Sequence, residues 1–257
     1  MKPIKILFII LSIGSMIMGC QKNSLNPVTD VTDLVSDLST ARRPISEFIV
    51  PENFVEDVTN PYFPLEIGDT LFYKTTVVED GETIIEDSYI AITDEVKIIA
   101  GISCVVLHDV VTIDGVLFED TYDWHVQDIY GNVWYFGEDT KKYAPDGSFS
   151  TEGSFEHGVD GAVGGMFMLA DPGAHIGRGY KQEDYPGHAQ DRAKVISTTE
   201  TVTIGLGTFT NCVKTEETSP LAPGELAVKY YAPGIGQIYS ETVIGGEESQ
   251  ELVGMSD

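Results

Sequence analysis

The residues best able to do chemistry in this chain are its histidines and the carboxylates between them. His157, His175 and His188 are interleaved with Glu156, Asp160, Asp171, Glu183, Asp184 and Asp191. Imidazole and carboxylate together suit divalent transition ions, so His157, His175, His188 and Asp191 form a candidate metal set. Against it, no two histidines stand four apart as on a zincin helix, and no stretch matches a calcium-binding loop. His108 and His125 lie in apolar or aromatic runs, where a histidine commonly fills a wall or a core. Neither Cys104 nor Cys212 has a neighbour suited to activating a thiolate. The G-x-S-x-G elbow and the Walker loop are missing, and Gly205-Leu206-Gly207 and Gly234-Ile235-Gly236 lack the third glycine of a dinucleotide fingerprint. Glu119-Asp120 and Glu138-Asp139 could serve glycoside hydrolysis only at the correct separation across a cleft. Catalysis is therefore the weaker reading and binding the stronger.

Binding chemistry points to the aromatics. Trp124, Trp134, Tyr135, Phe136, Tyr143 and Phe155 fall close together, and alternation along a strand puts Trp134 and Phe136 on one face and Tyr135 on the other. If one face is a concave wall rather than a packed core, it offers a platform to a sugar ring, a lipid or a peptide.

The element that positions these groups is Asp123 to Tyr135, two aromatic strands about a turn at Tyr130-Gly131-Asn132. A weaker copy runs from Tyr230 to Tyr239, with Gly236 standing where Gly131 stands. Other landmarks recur in the same order: Ile67-Gly68 with Ile176-Gly177, Leu71 with Tyr180, Gly101 with Gly207, and Cys104 with Cys212. That order indicates a duplication of strand-rich units, neither able to bury its apolar face alone. Each Cys would then fill its own unit's core unpaired, the alternative being a disulfide between the two, which an oxidising compartment permits. Leu71 to Val78 and Thr83 to Thr93 read as a hairpin through Asp80-Gly81, and Asp114-Gly115 turns Cys104–Ile113 into Val116–Trp124. Gly131 and Gly236 should need positive φ, so an added methyl there should cost more than one at Gly164 or Gly165.

The expected organisation is mainly β: a first β repeat over 61–136, a Gly/aromatic insert over 137–171 and a second repeat over 172–257. The two fused antiparallel repeats would form a curved sheet or partial barrel. The insert, with Phe149, Phe155, Met166, Phe167 and Met168, reads as an ordered loop over one mouth of the sheet.

Residues 1–19 form a targeting segment. Lys2 and Lys5 precede an apolar run from Ile6 to Met18, too short to span a bilayer comfortably. Its close, Ile17-Met18-Gly19-Cys20, resembles a bacterial lipoprotein signal, which implies acylation of Cys20 with lipid such as palmitate and anchorage to a membrane rather than passage through it. Met18 departs from the small residue usual at that place. Gln21 does not resemble the Asp of inner-membrane retention, which favours the outer membrane of a Gram-negative cell. Residues 20–60, rich in Ser, Thr, Asn, Asp and Pro, read as a tether with a short helical stripe at Val31, Leu34, Val35 and Leu38. Loss of Lys2 and Lys5 leaves 13 basic against 41 acidic side chains, a charge of −28 that repels nucleic acid.

Three segments carry a wider resemblance: Pro64 to Tyr73, Gly207 to Cys212 and Tyr230 to Gly236. They look like the turn-and-core patterns of a broad group of bacterial envelope lipoproteins, and the fold implied is similar to the half-barrels of the lipoprotein carriers LolA and LolB. The function expected is a lipid-anchored envelope binding or assembly protein, its ligand apolar, a glycan or a protein, with no cofactor. The alternatives are a metal-assisted hydrolase using a divalent ion held by the insert, and a structural spacer.

Overall fold

The structure, a computed structural model, describes residues 49–79 and 81–256. Cys20, the apolar leader and the Val31–Leu38 stripe lie outside the described residues. Those described build one sheet of sixteen strands, paired antiparallel throughout, with two 3-10 turns and no α-helix. The first half is a meander of β2 (Thr70–Glu79), β3 (Glu82–Ile99), β4 (Ile102–Ile113), β5 (Val116–Asp128) and β6 (Val133–Tyr143), preceded by a short β1 (Phe54–Val55). Its turns follow from local chemistry. Ala100-Gly101 and Asp114-Gly115 have positive φ at both residues, the geometry that a two-residue hairpin requires.

The second half is a like meander of β12 (Arg192–Ile204), β13 (Gly207–Thr218), β14 (Leu226–Ala232) and β15 (Gly236–Ile244), led by the short β10 (Gly179–Lys181) and followed by β16 (Glu248–Ser256). β16 pairs with β2 and joins the halves. The recurring landmarks fall in like places. Gly68 N–H donates to Ile92 O and Gly177 N–H to Val195 O, at 2.9 and 2.8 Å. Gly131 and Gly236 close the β5–β6 and β14–β15 turns at φ +93° and +107°. Cys104 and Cys212 are free and buried, in β4 and β13.

Three expectations need correction. The insert is not a loop over a mouth: β6 continues to Tyr143, and β7 (Phe149–Ser150), β8 (Phe155–Glu156) and β9 (Val163–Met168) all pair with it. β9 extends the sheet, with Met166 and Met168 packing beside Trp134 and Phe136 of β6 in one core. Secondly, residues 54–60, expected to be tether, pack on the sheet. Phe54 packs edge-on to Trp134 and Phe136, at 6.0 and 5.4 Å between centroids, and Val58 and Asn60 are buried. Thirdly, it is this lead-in that covers one end of the barrel. Asn60 Nδ2 donates to Gly131 O at 2.8 Å and Gly234 N–H donates to Pro61 O at 2.7 Å, so one dipeptide ties the two aromatic turns together.

The sheet curls into a nearly closed barrel, further than a half-barrel. Its closure rests on one extended segment: β10 pairs with β12, and after Gln182 the next strand, β11 (Glu183–Asp184), pairs with β9. The two edges of the sheet are thus consecutive in sequence. Gly164 and Gly165 make this possible, since a Cβ at Gly165 would lie 2.4 Å from the Gln182 carbonyl and one at Gly164 2.6 Å from Tyr135 O. No residue but glycine fits such a backbone approach. The expected ranking is therefore reversed: a Cβ on Gly236 would meet nothing nearer than 4.0 Å.

Candidate functional site: an acidic barrel lumen

The barrel encloses a cavity of about 390 Å³, lined from both meanders. Alternation decides which residues face it. On β5, Asp123 and His125 face in while Trp124 and Val126 face away. On β6, Tyr135 faces in while Trp134 and Phe136 face away. The outward set packs with Cys104, Val106, Met166 and Met168 into a core beneath Phe54 and Val58. Apolar wall comes from Phe63, Leu71, Ile90, Ile92, Leu107 and Ile235.

The remaining wall is acidic. Asp109, Asp123, Glu183, Asp191, Glu217 and Glu248 face one lysine, Lys229, which pairs with Glu217 at 2.8 Å. Burial, then repulsion from Glu119 and Glu138, pushes the Asp109 carboxyl up to about 7. Burial, then the neighbouring Asp191 carboxylate, pushes Glu183 up to about 8. Lys229 goes the other way: burial would lower it, but Glu217 holds it raised. His125 is 3% exposed, and burial pulls its imidazole down to about 3.

Three oxygen-bearing groups converge beside the lumen. Tyr135 Oη lies 2.6 Å from Asp123 Oδ1 and 2.8 Å from Glu138 Oε2. A phenol has one proton to share between the two carboxyls, and a proton held on either carboxyl would complete the pair of hydrogen bonds. Burial raises both carboxyls, Asp123 well above its ordinary range, although the Tyr135 hydrogen bond works to lower them. The phenol also fills the space between the two carboxyls, where a glycosidase keeps its scissile oxygen or water.

Of the six aromatics expected at a ligand, only Tyr135 lines the cavity. Trp134 and Phe136 are 1% and 0% exposed and have no surface for a ligand. Trp124 lies in the same core with Lys97 Nζ 4.5 Å from its ring centroid, Phe155 packs edge-on to Tyr135, and Tyr143 meets Phe149 at a hairpin tip. The histidine set is spread out. His157 stacks on Phe136, His175 is buried in the 3-10 turn Pro172–His175, His188 stacks on Tyr185, and only Asp191 reaches the cavity. No group of three or more metal-ligating side chains gathers among the described residues. The residues missed by sequence reasoning are Asp109, Asp123, Glu217, Lys229 and Glu248. The available signal was phase: Asp109 stands two residues after Leu107 and Asp123 two before His125, polar positions in register with an inward face.

No protein-family model matches the chain, and no curated relative matches it. Among solved structures it is similar to a protein described as exported, with a YmcC-like fold, from Bacteroides fragilis: 14% identity, TM-score 0.47, covering 76% of this chain and 98% of that one. It is also similar to a protein described as a lipoprotein from Parabacteroides distasonis, at 14% identity and TM-score 0.43, covering 77% and 99%. Likeness at this level carries no function from those proteins to this chain.

Proposed function

We propose that this chain is a lipid-anchored envelope protein that binds a small ligand in its barrel lumen and does no chemistry on it. The observation that carries the reading is the cavity, of a size usual for small-molecule sites and walled by apolar groups on one side and polar groups on the other. Its closed end is the lead-in with Phe63, Pro64 and Leu65, and its open end holds the exposed Asp191 and Glu248. The reading needs no cofactor and no nucleic acid; its membrane contact is lipid on Cys20, at the outer membrane.

The test is uptake of a neutral apolar dye, N-phenyl-1-naphthylamine, read by fluorescence. Ile92 lines the cavity, so Ile92→Trp should fill it and abolish uptake. Dye uptake that Ile92→Trp leaves unchanged refutes the lumen as the site. The address is tested separately: palmitate should label the chain and Cys20→Ala should remove the label, whereas membrane retention without lipid would mean an uncleaved anchor helix.

A further inference from the structure

Resting on the lumen as the ligand site, we infer that its ligand is a small organic cation, with one or two protonated amino groups on an apolar body. The lining opposes six acidic side chains, some of them held protonated near neutral pH by burial, to one ammonium that is already committed to Glu217 at 2.8 Å. Charge alone would be a weak argument. The stronger one is that two lining residues, Asp109 and His125, carry buried polar atoms without hydrogen-bond partners. Asp109 Oδ1 has none, and neither ring nitrogen of the nearly buried His125 has one. Unmet buried groups of this kind are rare in folded proteins and ask for an occupant.

The occupant's chemistry follows from what is missing. An ammonium offers three donors and no acceptor, which suits the unmet Asp109 oxygen and its carboxylate neighbours, and His125 can accept at one nitrogen. Leu71, Ile90, Ile92 and Leu107 would cover the apolar body. A neutral hydrocarbon would leave the polar atoms unmet, and a dianion would face repulsion from every side but Lys229. The path inward has the same sign. A second cavity of about 220 Å³ shares Asp191, Glu217 and Lys229 with the first and adds Glu225 at the open end. A lining with an excess of one sign of charge concentrates the opposite ion.

The test compares three ligands of one length on the full lipidated chain in detergent by titration calorimetry: 1,8-diaminooctane, 1,8-octanediol and octanedioate. The diamine should bind at least about tenfold tighter than the diol, the size of one hydrogen bond to a charged group, and octanedioate should not bind. Asp109→Asn and Glu183→Gln should each weaken the diamine about tenfold and the diol by much less. Melting curves establish that each variant is folded, and Glu183→Gln carries the comparison alone if Asp109→Asn is not. Equal binding of diol and diamine, or no diamine binding, overturns the cation while dye uptake sensitive to Ile92→Trp leaves the lumen standing. Failure of the dye as well removes both.

Discussion

Asp128 is the residue on which the aromatic turn depends, and its removal gives a sharp test of the fold. It is 3% exposed and accepts four hydrogen bonds, each 2.9 Å. Oδ1 takes the Tyr130 and Asn132 backbone N–H groups; Oδ2 takes Asn132 Nδ2 and Trp134 Nε1. Asn132 then accepts from Ala170 N–H through Oδ1, so the turn also fixes the end of β9. In Asp128→Ala the Tyr130 amide can reach water, since Tyr130 is exposed, but the other three donors cannot, because Asn132 and Trp134 are each 1% exposed. Three orphaned buried donors at roughly 1–2 kcal/mol each predict a loss of about 4 kcal/mol, a large share of a typical 5–15 kcal/mol. Asp128→Asn keeps one acceptor and turns an amide N–H₂ toward existing donors, so about half that loss is expected. Equilibrium urea unfolding followed by tryptophan fluorescence reads both, with the exposed Lys74–Asp87 pair as control: Asp87→Ala should cost under about 1 kcal/mol. A loss below about 1 kcal/mol in Asp128→Ala would refute the turn as an organising element.

Glycine substitutions should rank by backbone approach: Gly165→Ala should prevent barrel closure or lower the melting temperature far more than Gly131→Ala or Gly236→Ala, and the reverse order would put the seam elsewhere. Stability should rise as pH is lowered from about 8.5 to about 6.5. Asp109 at about 7 and Glu183 at about 8 in the folded chain lie above their unfolded values of about 4, so the native state holds the extra protons and loses their contribution as pH rises through that window. Below about 6.5 the His125 imidazole, pulled down to about 3, opposes the trend, and a melting temperature flat from pH 6.5 to 8.5 would contradict the burial argument.

Strands and turns were legible because their signals are local. Asp114-Gly115 can adopt two successive positive φ values, and aromatic and β-branched runs on either side fit a pleated surface. Gly68 and Gly177, matched in the sequence, each donate to a carbonyl of the long strand that pairs with the short strand after them, Ile92 O and Val195 O. The seam was not legible. Gly164-Gly165 looked like loop composition, because nothing in a linear sequence says that Lys181 and Gln182 will pass within van der Waals distance. The aromatic platform failed in an instructive way. Alternation separated Tyr135 from Trp134 and Phe136, but which face met a cavity depended on Phe54 and Val58, residues read as tether. The lumen was hidden by composition: in so acidic a chain Asp109 and Asp123 look like any surface carboxylate until curvature turns their face inward.

Closure and site turn out to be one element. The segment from Gly179 to Asp184 holds β12 with its first half and β9 with its second, and between them it delivers Gln182 and Glu183 to the cavity. Only two β11 residues pair across to β9, so this side of the barrel has fewer ladder bonds than any pairing within the meanders. Glu183 adds repulsion there, being raised by burial and by Asp191. Whatever neutralises Glu183, a proton or a bound ammonium, would relieve its repulsion with Asp191 beside the seam. Ligand binding and seam integrity are then thermodynamically linked, so a ligand that lowers the charge cost must also tighten closure, by the same free energy. Amide exchange at Val163–Met168 should therefore slow when diamine is bound and stay unchanged with diol. Equal protection by both would separate the seam from the site.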